Sequence, residues 1–106
     1  MEVFRKENGY EIKPGADLRY ANLEGVDLFC EELQGANLEG ANLRSVDLKG
    51  ANLQGANLRG ADLKGAILKW TNLKYANLEG ADLRYSHHKR TKFEGANLKG
   101  TILDKS

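Results

Sequence analysis

The sequence repeats every five residues from Ala16 to Lys105 without an insertion. In these 18 units the third residue is Leu 16 times, with His88 and Phe93 as the exceptions, and the first is Ala 11 times. The second residue is Asn or Asp 13 times, and the fifth is Gly ten times. A period of five matches neither an α-helix, at about 3.6 residues per turn, nor a plain strand, at about two. The repeat therefore excludes an ordinary helical bundle or flat sheet.

Within each unit the pattern predicts a short strand followed by a turn. The first and third residues are apolar and the second and fourth are polar, an alternation that breaks at every fifth residue. With Leu as turn position i, the fifth residue is i+2, where a type II turn requires positive φ. We therefore expect type II turns at corner glycines and another turn type where a larger residue replaces glycine. Examples of the first group are Gly35, Gly40, Gly55 and Gly60, and the second group includes Trp70, Tyr75, Tyr85 and Arg90.

Turns of one sense wind the chain into a coil whose apolar side chains face a common axis, with neighbouring coils paired as parallel strands. The unit Ala-(Asp/Asn)-Leu-x-Gly resembles the pentapeptide-repeat family over residues 16–105, about 85% of the chain. The resemblance implies an all-β fold, a right-handed quadrilateral parallel β-helix with four units per coil. Eighteen units then give about 4.5 coils. The Leu residues at 18, 38, 58, 78 and 98 are expected to form one buried column.

Residues 1–15 interrupt the repeat and are expected to form an N-terminal cap for the β-helix domain at 16–105, because stacked repeats need protected ends. Glu31 places an acid at an inward first position near this end. A lone buried carboxylate is costly. Either this unit bulges outward or a cation of the cap reaches the carboxylate, and the sequence leaves both alternatives open. The candidate cations are Arg5, Lys6 and Lys13.

If four units form a coil, residues twenty apart stack in columns on four faces. The third face comprises residues 26–30, 46–50, 66–70 and 86–90 and carries a net charge of +2, whereas the first and second faces are neutral and the fourth carries −1. Large outward apolar groups gather on the same face, as is typical of a partner-binding surface. The alternative is structural, with lysines splayed into water and Trp70 shielding backbone. The partner-binding candidates are Phe29, Lys49, Ile67, Lys69, Trp70, Lys89 and Arg90.

The other outward residues have expected structural roles. The fourth-position column of the first face alternates in sign and predicts a ladder of weak ion pairs, formed by Arg19, Glu39, Arg59, Glu79 and Lys99. Tyrosines that replace corner glycines are expected to pack on glycines of a neighbouring coil, with Gly55 beneath Tyr75 and Gly65 beneath Tyr85.

No motif predicts catalysis. The sequence holds no Ser-His-Asp set, phosphate loop or dinucleotide fingerprint. His87 and His88 are adjacent on a strand and point to opposite sides, without carboxylates at ligand spacing. The single cysteine, Cys30, excludes an internal disulfide. We expect no catalytic residue, metal, cofactor or small-molecule substrate. No apolar run reaches ten residues, so we expect no membrane span and no signal peptide, and hence a cytoplasmic location.

These features predict a non-catalytic protein-interaction or structural module, a rigid β-helical surface for an unidentified protein partner. The family resemblance offers an alternative, a DNA mimic that protects a type II topoisomerase, but such surfaces imitate phosphates with acids and this chain has a formal charge of +1. A third possibility is nucleic-acid binding through the cations of the third face, for which the affinity would fall steeply with salt.

The C-terminal end is the expected site of self-association. Residues 86–95 have no coil stacked above them, and Phe93 is the one aromatic at an inward position. Only Ser106 follows the last unit, whose fifth residue is Lys105, so strand edges there offer a template for a second copy. The resemblance supports a homodimer, since some family members dimerise through this coil. In the alternative, a monomer, charged side chains protect the edge.

Overall fold

The computed structural model describes residues 3–104. Met1, Glu2, Lys105 and Ser106 lie outside this range, so the structure does not address the expectations for the last two residues. The described chain is elongated, 45 Å long and 24 × 21 Å across. It begins with an antiparallel hairpin of two strands, β1 (Lys6–Glu7) and β2 (Tyr10–Glu11). Asn8 and Gly9 both have positive φ, 51° and 85°, as the Asn-Gly type I′ hairpin turn requires.

From Asp17 onward the chain pairs with itself at a spacing of twenty residues, through isolated parallel bridges in four columns. The columns are Asp17, Asn37, Asn57, Asn77 and Asn97; Asn22, Asn42, Asp62, Asp82 and Ile102; Asp27, Asp47, Ile67 and His87; and Glu32, Asn52, Asn72 and Lys92. Each coil therefore has four faces, one per unit. The backbone pairs in both directions, for example from Leu38 N–H to Asn57 C=O at 2.6 Å and from Asn57 N–H to Ala36 C=O at 2.9 Å.

Leucine and alanine fill the interior. Every third-position Leu from Leu18 to Leu83 is at most 1% exposed, which contributes about 1.5–3 kcal/mol per side chain. The expected buried column holds at 18, 38, 58 and 78, but Leu98 is 41% exposed. The exception has a simple cause, since no coil among the described residues covers Leu98.

The second-position Asn and Asp residues hold the corners. The side-chain Oδ1 of all thirteen accepts a hydrogen bond from the backbone N–H two residues on, at 2.9–3.3 Å. This is the Asx turn, which Asn and Asp form because their side chains are short enough to reach. The bond explains why 13 of the 18 units have Asn or Asp at this position.

The turns do not depend on glycine, and the expectation of a different turn at bulky corners is wrong. Trp70, Tyr75, Tyr85 and Arg90 have φ between 61° and 64°, close to the 65–72° of the corner glycines. The turn hydrogen bond also persists, as from Thr71 N–H to Leu68 C=O at 3.0 Å. Left-handed backbone costs a non-glycine residue about 1–2 kcal/mol. Continuous pairing of the coils on both sides of the corner outweighs this cost.

The N-terminal hairpin takes the place of a preceding coil. Asn8 Nδ2 donates to Asn22 C=O at 2.6 Å, and Arg5 Nη2 donates to Asp27 C=O. In later coils the equivalent carbonyls accept from Leu N–H groups, as Asn42 C=O does from Leu23. Two cap side chains thus satisfy acceptors that the first coil would otherwise leave open.

Glu31 does not bulge out of the coil. Its N–H donates to Leu28 C=O at 3.1 Å, and its C=O accepts from Asn52 N–H at 2.9 Å, as in a regular unit. Its side chain reaches the cap, where Arg5 Nη1 donates to Glu31 Oε2 at 2.8 Å. Of the two alternatives left by the sequence, the structure therefore has the ion pair, with Arg5 as the cation.

Candidate interaction surface

The coil geometry places the seven candidate partner-binding residues on the third face. Asp27, Asp47, Ile67 and His87 form its bridge column, so the fourth-position residues two places on stack as well. Phe29 and Trp70 are 53% and 54% exposed. The cations Lys49, Lys69, Lys89 and Arg90 are also exposed, and Ile67 is half-buried.

The cations of this face differ from most others in lacking ion-pair partners. Eight cations elsewhere form ion pairs with carboxylates, namely Arg5, Lys13, Arg19, Arg44, Arg59, Lys64, Lys74 and Arg84. Within residues 3–104, no ion pair involves Lys49, Lys69, Lys89 or Arg90. Their charge is therefore available to a partner.

Trp70 is held in place by a cation. The guanidinium carbon of Arg90, one coil further along the same corner, lies 5.0 Å from the centre of the Trp70 ring, within the range of a cation–π interaction. The Arg90 guanidinium therefore contacts the face of the indole. The remaining half of the indole surface is open to solvent.

The C-terminal half of this face departs from the repeat. Ile67 and His87 occupy second positions where Asn or Asp is the rule, and Ile67 has no side-chain oxygen for the Asx bond. The N-terminal half keeps Asp27 and Asp47, which accept from the backbone N–H of Phe29 and Lys49 at 2.9 Å and 3.0 Å. Acids thus remain beside Phe29 and Lys49, whereas units 66–70 and 86–90 contain none.

The neighbouring second face has a closed charge network instead. Lys64 Nζ lies 3.6 Å from Asp62 and 3.7 Å from Asp82, and Arg44 Nε lies 2.6 Å from Asp62. Arg84 donates to both carboxylate oxygens of Asp82, through Nε at 3.0 Å and through Nη2 at 2.7 Å. The hydrogen bonds from Arg84 are the main reason why the pKa of Asp82 falls from 3.8 to about 2.

The expected ladder on the first face is only partly formed. Arg59 bridges Glu39 at 3.4 Å and Glu79 at 4.0 Å. Arg19 instead pairs with Asp17 at 2.9 Å. Asp17 lies close to Arg19 because its side chain also accepts the Asx-turn hydrogen bond from the Arg19 N–H. Lys99 forms no ion pair with a carboxylate in the described range.

The corner tyrosines pack on glycines, but in the opposite direction from the one expected. The ring of Tyr20 lies on Gly40, where a Cβ would be 2.5 Å from the ring, and Tyr75 lies on Gly95 rather than Gly55. Gly65 contacts Ser45 instead of Tyr85. Corner side chains therefore lean toward the following coil. For Tyr85 the following residue in the column is 105, which lies outside the described residues.

The histidine pair lies at the surface, with both His87 and His88 exposed. His88 is exposed although it holds an inward position, and its Nδ1 lies 3.0 Å from Ser86 Oγ. In the part of the chain that the structure describes, no three His, Cys, Asp or Glu side chains come together as a metal site. That part also contains no helix of sufficient length and apolar character to cross a membrane.

Two groups of structural residues were missed from the sequence. Thr71, Thr91 and Thr101 take the alanine position, and each hydroxyl donates to a Leu carbonyl one coil back, at 2.6–2.7 Å. The second group consists of the cap donors to backbone carbonyls, Asn8 and Arg5, since the sequence offered Arg5 only as a possible cation for Glu31. The Asn8-Gly9 pair signals a hairpin in the sequence, but only the folded chain shows which carbonyls these side chains reach.

Phe93, the expected centre of self-association, is half-buried and packs against the core. The most exposed apolar groups at this end are Leu98, Ile102 and Leu103, at 41%, 46% and 46%. The structure therefore provides an apolar end face, with Phe93 at one side of it.

Comparison with known proteins places these features in one family. The model for pentapeptide repeats matches residues 32–69 and 67–100, in eight copies. The pentapeptide repeat protein Rfr23 from the cyanobacterium Cyanothece 51142 is 42% identical, with a TM-score of 0.76 over 78% of this chain and 57% of that one. A pentapeptide repeat protein from the thylakoid lumen of Arabidopsis thaliana is 32% identical, with a TM-score of 0.81 over 87% of this chain and 66% of that one.

A third solved structure, a pentapeptide repeat protein from Nostoc Pcc 7120, is 39% identical, with a TM-score of 0.49 over 88% of this chain and 85% of that one. No curated protein matches the chain. The chain spans 57% and 66% of the first two structures, less than two thirds of either.

Proposed function

The chain belongs to the pentapeptide repeat family and so has the family's quadrilateral β-helix, and from this premise we propose that it is a non-catalytic protein-interaction module. The proposed contact surface is the third face, with Trp70 as its centre. The observation that carries the proposal is the combination of an exposed indole, stacked on Arg90, with cations that have no ion-pair partner within residues 3–104. Tryptophan and arginine are the residues that most often dominate binding energy at protein interfaces.

The contributions of the other candidate residues follow from their positions. Lys69 and Lys89 lie in the column beside Trp70 and supply positive charge for long-range attraction and orientation of the partner. Ile67 adds apolar area in the same unit as Trp70. Phe29 and Lys49 extend the surface toward the cap, where the acids Asp27 and Asp47 reduce its positive charge.

A pull-down from extract of the source cell tests this proposal. The bait is the chain itself, compared with a double variant, Lys69→Glu with Trp70→Ala. The matched control is Lys74→Glu with Tyr75→Ala, which changes the same two positions of the next unit on the fourth face. We expect a captured protein that is retained by the control and lost by the third-face variant. Equal capture by both variants contradicts the proposal, provided that both baits have native circular dichroism.

Nucleic-acid binding is the alternative that the same cations favour. It is distinguished by nuclease treatment and by salt, because releasing counterions from several phosphates makes affinity fall steeply with ionic strength. Capture that disappears after nuclease treatment would replace a protein partner with a nucleic acid. Topoisomerase protection by DNA mimicry is disfavoured, because the stacked acids Asp62 and Asp82 are neutralised by Arg and Lys side chains.

Three finer features belong to the same proposal. The helix is right-handed and has about 4.5 coils, which a crystal structure would measure directly. Residues 1–15 act as a cap and 16–105 as the interaction domain. The apolar end face at Leu98, Ile102 and Leu103, with Phe93 beside it, pairs with a second copy of the chain, because these large apolar side chains are 41–46% exposed in the described part of the chain.

A further inference from the structure

A second site is suggested by bare backbone at the corner of the first face. The fifth-position column there consists of Tyr20 followed by Gly40, Gly60, Gly80 and Gly100. No atom lies within 4 Å of the Cβ position at Gly60 or Gly80, and only the backbone of Gly80 approaches that at Gly100. These three glycines and the side chains of Arg59, Glu79 and Lys99 line an open groove of about 370 Å³.

The chain itself shows what fits on such a glycine floor. One coil below the groove, in the same column, the ring of Tyr20 lies on Gly40 so closely that a Cβ there would be 2.5 Å from the ring. Tyr75 covers Gly95 in the same way at another corner. Both contacts depend on the absence of a side chain, which lets a flat ring meet the backbone. The groove at Gly60, Gly80 and Gly100 repeats this floor without a tyrosine to cover it.

We propose that this groove binds a tyrosine side chain from an acidic segment of a partner protein. The acidic character follows from the charges on the rim. Arg59 is shared between Glu39 and Glu79, at 3.4 Å and 4.0 Å, whereas Lys99 has no ion-pair partner within residues 3–104. A carboxylate next to the bound ring would pair with Lys99, and a cation there would be repelled. This site goes beyond the proposed third-face function and does not depend on it.

The test is a nuclear magnetic resonance titration of the isotope-labelled 106-residue chain with acetyl-Asp-Tyr-Asp-amide. We expect saturable shifts of the backbone amides of Gly60, Gly80 and Gly100. The matched peptide acetyl-Asp-Ala-Asp-amide lacks the ring and should bind at least about tenfold more weakly. Equal shifts with both peptides, or shifts confined to another face, would overturn the proposal.

Two substitutions locate the site. Gly60→Tyr should fill the groove in the way that Tyr20 covers Gly40, and should therefore abolish peptide binding. The corner conformation accepts tyrosine, since Tyr20, Tyr75 and Tyr85 have φ of 58–64°. The matched control Gly35→Tyr adds the same ring at a corner on the fourth face, over the open Gly55, and should bind the peptide normally. Peptide binding that survives in a folded Gly60→Tyr variant overturns the proposal.

Charge reversal keeps the test decisive if Gly60→Tyr fails to fold. Lys99→Glu changes an exposed residue. It should weaken the binding of acetyl-Asp-Tyr-Asp-amide and strengthen the binding of acetyl-Lys-Tyr-Lys-amide. If neither affinity changes, the proposal of an acidic partner is wrong. Adenosine monophosphate is titrated in parallel. If it shifts the same glycine amides more strongly than the tyrosine peptide, the occupant is a nucleotide and the proposal is wrong. Trp70→Ala should leave the affinities for all these ligands unchanged. The groove proposal and the third-face proposal can therefore fail independently of each other.

Discussion

At the residue scale, the corner positions combine one backbone conformation with very different side chains. Tyr20 and Cys30 have φ of 58° and 57°, near the 65° and 69° of Gly40 and Gly50 that follow them in their columns. The side chain of each covers the glycine one coil further on. Glycine therefore has two separate uses at these corners, to adopt positive φ without strain and to leave space for a neighbour.

The two uses can be separated by one pair of substitutions. Gly40→Ala and Gly60→Ala share a column and nearly the same φ, 65° and 66°, so both incur the cost of left-handed alanine, about 1 kcal/mol. Only Gly40→Ala also meets the ring of Tyr20, and we expect it to lose about 1–3 kcal/mol more. Urea unfolding measures the difference, and adding Tyr20→Ala should remove it. Equal losses of unfolding free energy in the two variants would show that the contact between Tyr20 and Gly40 does not limit the size of the residue at position 40.

Asp82 gives the chain an acid-sensitive contribution to stability. Its folded-state pKa of about 2 lies below its ordinary value of 3.8, so its ion pair with Arg84 stabilises fully above about pH 4 and is lost as the pH falls toward 2. In Asp82→Asn the free energy of unfolding should therefore fall less over this range than in the unchanged chain. The comparison is Asp47→Asn, whose carboxylate forms no ion pair within the described residues. An identical pH profile for the two variants contradicts the assignment.

At the scale of elements, the hairpin and the first coil form one hydrogen-bonded unit. Arg5 donates to both Asp27 C=O and the Glu31 carboxylate. Arg5→Ala should destabilise the chain by about 1–2 kcal/mol, because a carbonyl and a half-buried acid lose their donor and their cation. Lys6→Ala, an exposed change in the adjacent residue, should have little effect. Chemical unfolding of both variants measures this, and equal stabilities would mean that the cap residues do not contribute.

The contribution of each inward leucine to the free energy of unfolding depends on how completely its side chain is buried. Leu58 is fully buried and Leu98, in the same column, is 41% exposed. Leu58→Ala should reduce the free energy of unfolding by about 2–5 kcal/mol. Leu98→Ala should lose less than half of that, because part of its surface already faces water. A loss at Leu58 as small as that at Leu98 would be inconsistent with a buried column.

The five-residue pattern was sufficient to predict the strand-and-corner unit and the inward leucines. The stacking of residues twenty apart, such as Asp47 and Ile67, was expected only because the family resemblance implied four units per coil. It could not predict φ at Trp70, because intrinsic preference opposes positive φ there and only the pairing of whole coils overrides it. It also left Glu31 unresolved, since the ion pair with Arg5 depends on how the hairpin folds back. On the candidate surface, the sequence placed the charges but not the Arg90–Trp70 stacking, which joins residues twenty apart.

At the scale of the whole molecule, the apolar end face makes oligomeric state the main question. Leu98, Ile102 and Leu103 are each between 41% and 46% exposed, and pairing two such faces about a two-fold axis would bury them. We expect sedimentation equilibrium of the 106-residue chain to give the mass of a dimer at high concentration, and Phe93→Asp to shift it toward a monomer. A single-chain mass at high concentration excludes the end-to-end dimer. A dimer that survives Phe93→Asp would move the contact to another surface, and the surface around Trp70 would be tested next.

The bridge spacing of twenty residues also determines how such a chain can change length during evolution. Inserting or deleting twenty residues would lengthen or shorten the rod by one coil and leave every face aligned with the one below. Inserting a single unit of five would instead turn everything after it by a quarter of a revolution. The Trp70 surface would then point away from the side of the rod on which Phe29 lies, although no residue within either had changed. For this architecture, the phase of an insertion matters more than its size.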